Sequence, residues 1–178
     1  MSKILSTKRA GELMIPLEKY PHIPFWFTLR QAVAVMEKSE LDINGKKSLP
    51  RALLVFDEHY PLLGCIRRRD ILRGLEPKFL RTMSRPHRKS LFDVEIDPNL
   101  VDLSAGKISS AMSSQAEQSV SEVMTQIKTT VAIDDHLAKV IYKMINKDLN
   151  LLPVTQNEKV VGVIRSVDVF EEIAQILL

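Results

Sequence analysis

Short apolar runs, each set between polar turns and followed by an amphipathic stretch, occur twice along the chain. Leu53-Leu54-Val55-Phe56 and Leu151 to Thr155 have the length and continuity of buried strands. Leu62 to Ile66 and Lys159 to Ile164 follow across polar turns and predict their hairpin partners. Upstream, Leu29, Ala32, Val33 and Met36 stand at helical spacing behind Thr28, a good N-cap. Leu137, Val140, Ile141 and Met144 do the same behind Asp134 or Asp135. Thr129 to Ile133 is β-branched and predicts a strand, and Phe25-Trp26-Phe27 predicts a shorter one. Residues 8–14 predict a short helix, and Ser119 or Ser121 caps a turn that runs through Met124. Pro16, Pro21 and Pro24 keep the segment between them extended. Leu41 to Pro50, with Asn44-Gly45 and two lysines, predicts a surface loop.

The two sets of elements are copies. Gly64-Cys65-Ile66-Arg67-Arg68-Arg69-Asp70 and Gly162-Val163-Ile164-Arg165-Ser166-Val167-Asp168 share glycine, arginine and aspartate at the same places. An offset of 98 superposes the hairpins, and an offset of 108 superposes the preceding helices. The first copy therefore holds about ten extra residues between helix and strand. Near the start of each copy Glu122-Val123-Met124 falls on Glu12-Leu13-Met14. Each copy follows the order helix, strand, helix, strand, strand, helix.

Residues 76–118 match neither copy. Between Arg67 and Lys89 there are nine Lys or Arg against Asp70 and Glu76. Leu103 to Gln118 is rich in small polar residues and predicts a mobile linker. Short helices are expected around Pro77–Met83 and Pro98–Leu103, since a long structureless stretch is uncommon in a compact chain.

Composition narrows the class. With 178 residues, 45% of them hydrophobic and 26% charged, the chain is long enough for a sizeable core. A net charge of +3 does not by itself imply nucleic acid. The single Cys65 allows no internal disulfide and fits a reducing compartment. No apolar run approaches the ~20 residues of a membrane span, and the start lacks a long apolar leader, so the expected location is the cytoplasm. His22, His59, His87 and His136 have no ligand-like spacing, so no metal site is expected. No phosphate-binding glycine loop or nucleophile–base signature occurs, which predicts a non-enzyme.

The repeated order, with Leu152-Pro153-Val154 and the Gly162 to Asp168 heptad, resembles the CBS domain, and two in tandem resemble a CBS pair or Bateman module. The resemblance covers residues 7–75 and 119–178. It implies an α/β (α+β) fold of two repeats, each a three-stranded sheet flanked by helices, packed with pseudo-twofold symmetry around two clefts. It also implies a non-catalytic regulatory module that senses AMP, ADP, ATP or S-adenosylmethionine and acts on a partner protein. No further cofactor is required. The candidate ligand contacts are Asp168, Arg165, Val163, Thr130 and Pro153 in the second copy, and Asp70, Arg67 and Cys65 in the first.

In the family the aspartate bonds ribose hydroxyls, and Ser or Thr stands where this chain has Arg67 and Arg165. Plain helix capping also explains Asp70 and Asp168. Each arginine either folds back on its own aspartate and obstructs the cleft, or extends to meet a phosphate. If a nucleotide binds, it is expected to carry phosphate and to depend on Arg165 and Asp168 more than on Arg67 and Asp70. Gly64 and Gly162 are expected to relieve strand crowding. Cys65 is expected to be a small buried group, and Trp26 a core residue. In the last helix Phe170, Ile173, Ala174 and Leu177 form the face expected on the sheet. Val169, Ile176 and Leu178 are left over, which suggests a homodimer. The alternatives are a structural module with empty clefts and, behind it, nucleic-acid binding through residues 67–89.

Overall fold

The computed structural model describes residues 8–43, 45–77 and 105–178. The helices expected at Pro77–Met83 and Pro98–Leu103, and most of the basic segment 67–89, lie outside the described residues.

The first copy opens with α1 (Ala10–Leu13) and β1 (Ile15–Pro16), a 3₁₀ turn (Leu17–Lys19) and β2 (His22–Pro24). It continues with α2 (Leu29–Lys38), the hairpin β3 (Leu41–Ile43) and β4 (Lys46–Ser48), the hairpin β5 (Ala52–Phe56) and β6 (Leu62–Arg67), and α3 (Arg68–Leu75). After α4 (Ala105–Gln115), the second copy runs through a 3₁₀ turn (Val120–Glu122), β7 (Thr125–Gln126), β8 (Val131–Ala132) and α5 (Leu137–Lys147). It closes with β9 (Leu151–Gln156), β10 (Lys159–Arg165) and α6 (Ser166–Leu177).

Each sheet has four strands rather than three: β2-β5-β6-β7 and β1-β10-β9-β8. The fourth strand comes from the other copy. β1 pairs antiparallel with β10, Ile15 opposite Val163 and Pro16 opposite Gly162. β7 pairs antiparallel with β6, Thr125 opposite Cys65 and Gln126 opposite Gly64. The two exchanges have the same register, as a pseudo-twofold requires. The glycines make them feasible. A Cβ on Gly162 would stand 2.5 Å from the Ile15 carbonyl oxygen, and one on Gly64 would collide with the Thr125 carbonyl oxygen. Both glycines admit protein backbone.

β5 is apolar throughout, and β6, β9 and β10 are apolar in their middles, because both sheet faces are covered. Leu53, Val55 and Ile66 pack under the helices of the first copy. Leu152, Val154 and Ile164 do so in the second. The alternate positions Ala52, Leu54, Phe56, Cys65 and Val163 meet Ile15, Tyr20 and Leu41 in a third cluster joining the copies. Period-two alternation thus feeds a separate core on each face.

Several local expectations change. Within the expected loop, Leu41 to Ser48 form a hairpin, with Leu41 only 2% exposed. Gly45 takes φ 78°, and its N–H meets Asp42 Oδ1 at 3.0 Å. Asn-Gly is a strong hairpin signal, and Leu41 supplies the anchor that holds it down. The strand expected at Phe25-Trp26-Phe27 lies three residues earlier, at His22–Pro24, and Trp26 is exposed rather than core. Its neighbours on the strand, not the aromatic run, pair with β5. The N-cap of α5 is His136; the Asp135 carboxylate instead accepts the Ala132 N–H at 2.9 Å. Residues 105–115 are helix rather than linker, and this helix ends on Ala116, which is buried. Backbone N–H groups of Leu29 and Arg30 donate to the carbonyls of Gln118 and Ala116, tying its exit to α2. On α6, Val169 is buried while Phe170 and Leu177 are exposed. The Asp168 carboxylate points back to Arg165; two residues on, ~200° around, Phe170 faces out.

Candidate ligand cleft

Arg67 and Arg165 end β6 and β10, and each is the N-cap residue of the following helix. Asp70 and Asp168 therefore stand at the third helical position, not at the cap itself. Each carboxylate accepts the backbone N–H of its arginine, at 3.0 Å for Arg67 and 3.2 Å for Arg165. Each also takes the guanidinium through two bonds. Arg165 Nε–H and Nη2–H reach Asp168 at 2.8 and 2.5 Å; Arg67 Nε–H and Nη2–H reach Asp70 at 2.9 and 3.2 Å. Of the two outcomes open to these arginines, the chain adopts the folded-back one in both copies. A fork-on-carboxylate geometry is the strongest such pairing, and a three-residue step across a strand-to-helix turn places both ends correctly.

A hydroxyl from the opposite copy braces each arginine. Arg67 donates to Thr125 Oγ1 at 3.2 Å and Arg165 to Ser48 Oγ at 3.1 Å. The environments differ. The Arg67 side chain is 47% exposed and that of Arg165 only 10%.

Charge states follow from these contacts. Burial acts to raise the Asp70 carboxyl, but bonds from the Arg67 side chain and backbone, with the charges of Arg67 and Arg73, outweigh it and hold the carboxyl below its usual range. The bond to Asp70 raises Arg67, and the bond to Asp168 raises Arg165. Burial pushes the Cys65 thiol up to about 11, so it is an uncharged packing group. A carboxyl depressed in the folded state stabilises the fold above its unfolded value of about 3.9, and that contribution disappears as pH falls through the lower folded value. Asp70→Asn is therefore expected to cost stability at pH 7 and progressively less below about pH 4. Urea unfolding of both proteins between pH 7 and pH 2.5 reads this directly; a constant difference across the series would contradict it.

Both arginines line one cavity of about 390 Å³ at the pseudo-twofold, with Cys65, Tyr20, Thr125, Thr129, and the cations Arg51, Lys128 and Lys147. Asp148 is the one acid in that wall among the described residues. Of the other candidate contacts, Asp70 and Asp168 lie behind their arginines, and Val163 and Pro153 are buried in the packing of the sheet. Thr130 lines a second, wider cleft at the opposite end of the sheets with Phe56, Tyr60, Leu62 and Lys159. The sequence pattern missed Arg51, Lys128 and Lys147, which lie outside the repeated heptads. No group of His, Cys, Asp and Glu suited to a metal occurs among the described residues.

Residues 120–175 match the family model of the CBS domain. The second copy is thus similar to a CBS domain, and the chain has the fold of the tandem CBS structures. A CBS domain-containing protein of unknown function from Bacillus anthracis is similar over 98% of this chain and 99% of its own, with a TM-score of 0.66 at 20% identity. The CBS domain of a membrane protein from Sphaerobacter thermophilus is similar over 96% and 90%, with a TM-score of 0.65 at 20% identity. A protein called CBSX2, solved in complex with AMP, is similar over 96% and 98%, with a TM-score of 0.61 at 16% identity. No curated protein sequence matches this chain. No helix among the described residues is long and apolar enough to cross a membrane.

Proposed function

We propose that this tandem CBS protein is a non-catalytic regulatory module of the cytoplasm whose central cleft takes an adenine nucleotide, AMP, ADP or ATP, and whose occupancy modulates a partner protein. In this proposal its working units are residues 7–75 and 119–178, joined by 76–118. The observation that carries it is the shared cavity: arginines from equivalent heptads and three further cations face one space with a single acid. Such a space attracts an anion before it discriminates anything else. The AMP complex of CBSX2 supports the choice of nucleotide class. The module is proposed to act as a homodimer through α6, where Phe170 and Leu177 are exposed.

The paired carboxylates favour a second interpretation. Asp70 and Asp168 are both engaged by arginine, so neither is free for ribose hydroxyls. A structural module with empty clefts would look the same. Thermal unfolding with adenosine, AMP, ADP and ATP separates the two. A ligand at a hundred times its Kd adds about 2.7 kcal/mol to the folded state and raises the midpoint by several degrees. The regulatory proposal expects ATP or ADP to do this and adenosine not to. No shift with any adenine compound would leave the structural module. Light scattering on the same samples tests the dimer, which a mass of one chain at micromolar concentration would exclude.

A further inference from the structure

The two copies have lost their equivalence at the cleft. In the second copy three residues separate α5 from β9; in the first, thirteen separate α2 from β5. The additional residues are the hairpin β3–β4. It is anchored by Leu41, which packs in the cluster that contains Val163. From that anchor Ser48 reaches across the pseudo-twofold and accepts a hydrogen bond from Arg165 Nη1–H. Lys46 lies 3.8 Å from Glu171 on α6. The hairpin thus lies over the start of α6, where the second copy would meet a ligand. The Arg165–Asp168 pair beneath it is nearly enclosed.

The second copy has no such insertion, and the first copy's arginine stays open. Arg67 is met across the axis only by Thr125 among the described residues. The cavity that both arginines line also carries Arg51, Lys128 and Lys147, and none of these three has a side-chain ion pair or hydrogen bond to another described residue. With Arg67 balanced by Asp70, Arg51, Lys128 and Lys147 against Asp148 leave a local excess of positive charge in a concave space, which concentrates the field. A single monoanion does not match it. A chain of phosphates does: its oxygens accept from guanidinium and ammonium donors at several points at once.

We infer that the module has one working ligand site rather than two, a polyphosphate seat formed by Arg51, Arg67, Lys128 and Lys147, while the hairpin β3–β4 has closed the position at Arg165. This rests on the anionic-cleft reading proposed above and names the ligand group that the cleft selects. It also reverses the ranking expected from the sequence, since Arg67 and not Arg165 faces the ligand.

The test is calorimetric titration of the full chain with inorganic triphosphate, inorganic phosphate, ATP and AMP. Triphosphate is expected to bind once per chain, more tightly than phosphate, and more weakly as salt is raised. Arg67→Ala is expected to weaken it at least tenfold. Because that variant strips Asp70 of its partner, Lys128→Ala combined with Lys147→Ala carries the same test on exposed positions, with the same tenfold loss. Lys19→Ala combined with Lys38→Ala removes the same two charges outside the cavity and is expected to change binding less than twofold. Two triphosphates per chain overturn the closed second position. Triphosphate that fails to bind while ATP or AMP binds overturns the polyphosphate seat and leaves the nucleotide-sensing proposal standing. Failure of all four ligands removes both.

Discussion

Asp168→Ala is expected to lower the stability of the fold by about 3–5 kcal/mol, as removal of one partner from a buried ion pair does elsewhere. The side chains of Arg165 and Asp168 are 10% and 9% exposed. Arg165 would keep its charge, because a guanidinium is not neutralised in proteins. It would lose both carboxylate bonds and retain only the Ser48 hydroxyl. The Arg165 backbone N–H at the start of α6 would lose its acceptor as well. For a chain of this size the cost corresponds to a fall of roughly 6–20 °C in the melting midpoint. Denaturant unfolding of the variant measures it. Arg165→Met combined with Asp168→Leu should recover most of the loss, since replacing both partners removes the unpaired charge along with the pair. A single variant that costs less than about 1 kcal/mol would show that the pair is hydrated in solution, and the closed second position would fall with it.

The second large effect is expected at the exchanged edge strands. Gly162→Val places its Cβ 2.5 Å from the Ile15 carbonyl oxygen and 2.9 Å from the Met14 sulfur. The methionine side chain can move; the strand backbone cannot without losing its ladder to β10. Gly64→Val meets the Thr125 backbone in the same way. Overpacking of this kind costs about 1–3 kcal/mol, with lost ladder bonds in addition. The two variants differ in their secondary effects. Displacing β7 also moves Thr125 from Arg67, so Gly64→Val should weaken anion binding as well as stability. Gly162→Val should affect stability alone. Hydrogen exchange at the amides of β1 and β7 tests the mechanism: faster exchange confined to the displaced strand is expected. Unchanged protection at both strands would mean that the glycines are not there to admit backbone.

Alternation and spacing along the chain determined the repeats, the order of elements, the strands β5, β6, β9 and β10, and the helices α2 and α5. These are local consequences of which residues repel water and at what period, so they are present in the sequence before any contact forms. The three-residue step from arginine to aspartate likewise limited each pair to two conformations. Tertiary structure braces the folded-back form, since Arg165 also donates to Ser48, more than a hundred residues away. It also decided the fourth strand of each sheet, since β1 and β7 are two residues long and gain their pairing only from the other copy. The phase of α6 was decided by packing, which set Val169 in the core of the second copy and left Phe170 outward. The convergence of Arg51, Lys128 and Lys147 has no sequence periodicity at all: they come from a loop edge, a strand exit and a helix end that only the pseudo-twofold brings to one cavity. Local hydrophobic pattern thus sets what the elements are, while long-range packing between the two copies sets which side chains face the same space.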